Sequence, residues 1–246
     1  MDSPARSRRR ATRGTARRAS PLHLMVLLVI ACAGIAIVAL GRWLRSRERL
    51  AWLDWTLASI GLLGFLIQDA LALTPFTWGH SLPLEVCDVM AFIGPIALVA
   101  RRRWMFALLY FWGLTLSLQG LLTPQLREGP AQLHFWLFWM RHGGIVIGAL
   151  YIVLVHDFRP EWRDYATAVG IGIAYVMVML LIDLRWGFNY GYVGNAKPPQ
   201  TSLVDFLGPW PWRVGAMIAL AATAMAFLMA PWRLVAVRRA AGSRFS

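Results

Sequence analysis

The sequence predicts an all-α fold, a multi-pass transmembrane bundle of seven helices, on three observations. Mean hydropathy is +0.54 and 58% of the residues are hydrophobic. Charged residues make up only 15%, against about 25% in soluble domains. The apolar residues fall in blocks near the ~20 residues that cross a bilayer core, not in the amphipathic periods of soluble helices.

The predicted spans are 22–40, 51–73, 82–100, 104–122, 133–155, 165–184 and 214–235. The first carries Cys32 mid-way, read as a small buried hydrophobe. The second closes on Gln68 and Asp69, and the third opens on Glu85, Cys87 and Asp88. Only Arg101-Arg102-Arg103 separates the third from the fourth, which closes on Gln119 and Thr123. The fifth holds His134, Arg141 and His142 in its first half, and the sixth closes on Asp183. A long loop, about 185–213, then precedes the seventh; its Gly and Pro residues forbid a regular helix, so it is either a lid or an interfacial anchor. Trp43, Trp78, Trp162, Trp186, Trp210, Trp212 and Trp232 lie near predicted helix ends, where interfacial belts form. Gly144-xxx-Gly148, Ala166-xxx-Gly170-xxx-Ala174 and Gly215-xxx-Ala219 are the expected sites of close helix approach. Residues 1–20 read as a disordered basic tail, 21–236 as the bundle and 237–246 as a basic cytoplasmic tail.

Net charge is +13, carried by Arg and a single Lys, Lys197. Because these residues sit in tails and short loops, membrane topology explains them and nucleic-acid binding is not implied. Loops holding Arg42–Arg49, Arg101–Arg103, Arg159, Arg163 and the C-terminal arginines outweigh the opposite side, which holds Arg127, Arg141, Arg185, Lys197 and Arg213. The positive-inside rule then puts the C-terminus in the cytoplasm of a bacterial inner membrane, and an odd helix count puts the N-terminus outside. The arginines of residues 1–20 oppose that assignment. The two cysteines are not expected to meet in a disulfide, since they lie at different depths.

The polar side chains crowd into the non-cytoplasmic half, while the inner halves read as almost wholly apolar. Ionisable groups at membrane depth are costly and mark function by default, so this asymmetry predicts a water-filled cavity open to the outside. Helical spacing puts Gly61, Gly64, Gln68 and Ala72 on one stripe, Thr115, Gln119 and Thr123 on another, and His134, Phe138, Arg141, His142 and Ile145 on a third. If these face inward, Cys87 is a candidate nucleophile and His142 its base. Asp88 or Asp183 can orient the imidazole. Arg141 or His134 can supply positive potential or hold a phosphate, with Lys197 a further phosphate contact, and Gln119 and Asn189 can donate to a developing oxyanion. Glu85 and Asp88 complete the binding set. The competing structural reading makes Cys87 a packing residue, His142 a cross-helix hydrogen bonder, and Arg141 the partner of Asp69, Glu85, Asp88 or Asp183. His134 and His142 are two turns apart, too far for simple chelation, and no metal or cofactor is implied.

A set of motifs is more specific. Leu82-Pro83-Leu84-x-x-Cys87-Asp88, Tyr110-Phe111-Trp112-Gly113, Gln119-Gly120-Leu121-Leu122-Thr123-Pro124, His142-Gly143-Gly144, Asn189-Tyr190-Gly191-Tyr192, Lys197-Pro198 and Gly208-Pro209-Trp210-Pro211-Trp212 closely resemble the YwaF-like, TMEM164-related bacterial integral membrane proteins. Ser20-Pro21-x-His23-Leu24 resembles that family's start, and the likeness runs from about Ser20 to Trp232. The Arg-rich tail departs from the pattern. The resemblance extends to a eukaryotic protein implicated as an acyltransferase in ether-phospholipid remodelling, with a Cys near the start of one span and a His in a later one. It therefore implies lipid-directed acyl transfer or hydrolysis, with a membrane lipid as partner and Cys87 and His142 at the corresponding positions. A non-enzymatic transporter or lipid-binding protein using the same cavity is the alternative.

Overall fold

The computed structural model describes residues 21–124, 126, 129–196 and 203–233. It is all-helical: α1 (Pro21–Arg45), α2 (Leu50–Ala72), α3 (Val86–Ala100), α4 (Arg103–Trp112), a π-helical turn (Gly113–Ser117), α5 (Leu118–Leu122), α6 (Leu133–Leu154), α7 (Trp162–Trp186) and α8 (Trp212–Phe227). Short 3₁₀ turns at Tyr190–Tyr192 and Leu203–Leu207 lie between α7 and α8. Six helical segments are long and apolar enough to span a membrane, with α4, the π turn and α5 forming one of them and Val86–Ala100 a shorter seventh helix. The protein is thus a multi-pass membrane protein.

Two helix starts differ from the hydropathy reading for the same reason. The third helix begins at Val86 rather than 82, because Glu85 and Asp88 form a capping box. Each carboxylate accepts from the other residue's backbone N–H, satisfying amides that no helical carbonyl can reach. Glu161 and Asp164 repeat the device, so α7 starts at Trp162, ahead of the predicted 165. At the other end of the chain the regular part of α8 ends at Phe227, the span continues through a turn to Arg233, and the predicted end at 235 lies outside the described residues.

The core lies where α3, α4, α6 and α7 meet, around the buried Met90, Leu108, Phe111, Trp112, Tyr151 and Ile152. Trp112 Nε1 donates to Ala168 O across α4 and α7. The glycines that permit close approach are not the predicted stripes. A Cβ on Gly144, Gly170 or Gly215 would meet nothing within 4 Å. On Gly41 it would press on Tyr151 at 2.7 Å, and on Gly61 on Pro95 at 2.8 Å. Cys32, expected inside, faces outward from α1. In a membrane helix that face meets lipid, so an exposed thiol there is no anomaly.

The half expected to be apolar holds a buried polar centre. Asp54 of α2, 1% exposed, accepts from Arg101 (2.7 Å), Tyr151 Oη (2.8 Å) and His156 Nε2 (3.1 Å). A second fastening at the same end pairs Arg103 with Asp164 (2.7 Å) and Glu161 (2.8 Å). These links tie two of the turn's three arginines to neighbouring helices, Arg101 to α2 and Arg103 to α7. The basic tails and Lys197 lie outside the described residues.

Candidate functional site

The opposite end of the bundle gathers the residues singled out in the sequence. Cys87 sits in the first turn of α3, where the helix dipole favours a negative charge. Its thiol donates to Ser117 Oγ at 3.9 Å. Ser117 closes the π turn and is fully buried. Inserted π turns recur at functional sites because they re-aim one helix face without breaking the helix.

His142 approaches the same segment from α6. Its Nδ1 lies 2.9 Å from Phe138 O. A carbonyl only accepts, so Nδ1 carries the proton and neutral His142 presents Nε2 as a free base. That edge of the ring faces Gly120: a Cβ there would collide with Cδ2 and stand 2.6 Å from Nε2. Ser117 and Gly120, three residues apart, share a helix face. Cys87 and His142 therefore abut one face of one segment, a turn apart. Gly120→Ala is expected to push the imidazole off Phe138 and cost about 1–3 kcal/mol. Gly170→Ala, with open space at its Cβ, is expected to be neutral or slightly stabilising. Thermal unfolding in detergent compares the two; equal shifts would mean the ring yields freely.

The charged residues serve one another first. Arg141, its side chain 10% exposed, pairs with Asp88 and lies 3.6 Å from Asp69. Asp88 bonds Arg141 through Oδ1 and caps α3 through Oδ2. Arg141 Nε is buried without a partner among the described residues. Glu85 caps α3 and accepts from Gly191 N–H at 3.0 Å, tying the α7–α8 loop to the start of α3. Positive φ at Gly191 and Tyr192 turns the backbone toward that carboxylate. Tyr190 N donates to Asp183 Oδ1 (3.0 Å), Tyr190 Oη to Trp78 O (2.6 Å) and Tyr175 Oη to Leu84 O (2.7 Å). Burial, with Glu85 and Cys87 nearby, pushes the Tyr192 phenol above its ordinary value, so it stays a donor beside the thiol.

The other candidates are placed less centrally. Gln119 precedes Gly120 on α5 and is half-buried. Asn189 lies in the loop, where its Oδ1 is buried against Gly194 without a hydrogen-bond partner among the described residues. Lys197 lies outside the described residues. Among the described residues, no group of three or more His, Cys, Asp or Glu side chains is arranged to hold a metal ion. Ser117 and Tyr175 escaped the sequence reading, and Tyr192 entered it only as part of a motif. A serine and a tyrosine inside apolar helices, Ser117 and Tyr175, carry no spacing signal of their own.

The cavity that reaches Arg141 is apolar, unlike the polar hollow the sequence predicts. It encloses about 300 Å³ between α1, α2, α3 and α6, with a contribution from Leu109 of α4. Its lining extends along α6 from Trp139 to Tyr151, and Arg141 is its charged wall residue. Polar side chains instead pack against one another around Arg141 and the loop, because paired charges need no solvent.

No curated protein and no solved structure matches the chain. The model of the TMEM164 family matches residues 18–229, nearly the whole of the described bundle, Cys87 and His142 included, and the chain belongs to the TMEM164 family.

Proposed function

We propose that this protein is a lipid-directed acyltransferase or hydrolase of the bacterial inner membrane, with Cys87 as nucleophile and His142 as base. One observation carries the reading: Cys87 bonds Ser117 while His142, its Nε2 left as the acceptor, packs on Gly120 of the same segment. The thiol gives its proton to His142 Nε2, with the Ser117 hydroxyl as relay. The thiolate adds to the ester carbonyl of a membrane lipid, the carbon–sulfur bond forms, and the carbon–oxygen bond breaks. The departing alkoxide takes the proton from His142. An incoming lipid hydroxyl, or water, then attacks the thioester, transfers its proton through His142 and regenerates the thiol. Gln119, beside Gly120 on α5, and Tyr192, whose phenol feels Cys87, are the donors assigned to the developing oxyanion. Arg141, already neutralised by two carboxylates, orients α3 more than it attracts phosphate. By the positive-inside rule the Arg101–Arg103 end faces the cytoplasm, the C-terminus with it, and Cys87 opens to the other side.

The test uses full-length protein in lipid nanodiscs with an ester lipid bearing an alkyne-tagged acyl chain. A hydroxylamine-sensitive adduct is expected on Cys87 and is expected to persist in Cys32→Ser. His142→Ala is expected to slow its formation by about 10²–10⁴-fold, the range of a lost general base. Undiminished adduct in Cys87→Ala would sink the proposal.

A further inference from the structure

We propose that the apolar groove between α1, α2, α3 and α6 holds one acyl chain of a membrane lipid, admitted sideways from the bilayer with its carbonyl end toward Arg141 and Cys87. This rests on the acyl-transfer reading and gives it a substrate-tail site.

Four observations carry it. The groove lines α6 from Trp139 to Tyr151, twelve residues or about 18 Å at 1.5 Å each. That is a little over half the ~30 Å hydrocarbon core, close to the depth of one leaflet's chains. Its volume of about 300 Å³ is at the lower end of ligand pockets. Glycines keep it narrow and open: Gly61, Gly64, Gly144 and Gly148 all line it, and Gly144 has no atom within 4 Å of where a Cβ would lie. The groove is reached from the side, since the lining residues Val29, Ile60 and Met140 are exposed on the lipid-facing surface. At that depth the only solvent is hydrocarbon.

The α3 wall connects the groove to the thiol. Ala91, Gly94 and Leu98 line it, and Cys87 continues their face at i−4, i−7 and i−11. Arg141 is the charged wall residue at the same end, so a carboxyl ester there meets a cation while its tail stays in apolar surroundings. The opposite end is bounded by Tyr151, whose hydroxyl is committed to Asp54. A chain threading on past it would disrupt a buried bond, which gives the groove a floor and a preferred length.

The probe is phosphatidylethanolamine with a diazirine midway along one acyl chain, incorporated in nanodiscs with the full-length protein and mapped by mass spectrometry after irradiation. Adducts are expected on groove residues of α1 and α6, and on outward residues such as Ile35 as an internal standard. Gly144→Leu fills the groove from a position with open space, and Ala33→Leu fills it from the facing wall. Each is expected to reduce groove adducts at least tenfold relative to Ile35. A wild-type map without groove adducts overturns the proposal, as do groove adducts that persist in both variants. A short-chain tagged ester is run in parallel. A thioester on Cys87 without groove adducts sinks the tail site alone; groove adducts without any thioester sink the acyl-transfer reading and leave a lipid-binding groove.

Discussion

Arg141→Leu is expected to destabilise the protein by about 3–5 kcal/mol, the cost of leaving a buried charge without its partner. Two carboxylates, Asp88 and Asp69, face this guanidinium, and Asp88 is 8% exposed. Removing Arg141 strands Asp88 at membrane depth, where it must either take up a proton or recruit water. Both responses loosen its hold on the first turn of α3, because the same carboxylate caps Glu85 N–H at 3.1 Å. The reverse change, Asp88→Ala, loses the cap as well, about 1 kcal/mol more. The cycle is closed with Asp88→Asn, which keeps an acceptor for the cap: the double variant Arg141→Leu/Asp88→Asn removes both charges and is expected to recover at least 1 kcal/mol against the sum of Arg141→Leu and Asp88→Asn. Denaturant titration in detergent measures all four corners of the cycle. Strict additivity would show that the two side chains do not interact in the folded protein. The cycle also bears on chemistry: a loosened first turn displaces Cys87, so slower thioester formation should follow the loss of the cap and be restored in part by the double variant.

The spans were legible because each must bury about twenty apolar residues in hydrocarbon, a constraint that any hydropathy profile detects. Their starts were not, because a capping box acts at single residues. The pattern was present twice, at Glu85-Val86-Cys87-Asp88 and Glu161-Trp162-Arg163-Asp164, and reading it as a cap would have placed both helix starts. Glu85 and Asp88 instead drew a functional reading as unexplained charges. The π turn left no trace in a continuous apolar run, so Ser117 stayed hidden. Small-residue spacing misled for a related reason: it marks where a helix can be approached and does not say which face is taken. Gly144 illustrates this, since the sequence cast it as a packing glycine and the fold leaves it open beside the groove. Which side chains converge was legible only in part. Arg141 had named partners in Asp69 and Asp88, and both were found. The approach of Cys87 and His142 to a common segment depends on the inserted turn, which no periodicity announces.

Asp54→Ala is expected to be comparably damaging, about 3–5 kcal/mol, at the end of the bundle where no polar centre was foreseen. The carboxylate gathers three donors from three parts of the chain: Arg101 after α3, Tyr151 on α6 and His156 after α6. Its loss affects them unequally. Arg101 is half-exposed and turns to water or headgroups at little cost. Tyr151 is fully buried and His156 is 8% exposed at its side chain, so each is left with an unsatisfied polar group costing about 1–3 kcal/mol. Asp54→Asn keeps the volume and one acceptor, and is expected to lose roughly half as much. Arg101→Gln leaves Tyr151 and His156 bonded but strips the charge from a buried carboxylate, so it should fall between the two. This order, Ala worst and Asn mildest, follows from which groups remain buried and unpaired; unfolding in detergent that ranked Arg101→Gln above Asp54→Ala would show that the ion pair, not the buried donors, dominates. Because Asp54 lies at the opposite end from Cys87, the folded fraction of Asp54→Asn should form the Cys87 thioester at the wild-type rate. A slower rate per folded molecule would mean that the two ends are coupled through α6, which runs from His142 to Tyr151 as a single helix.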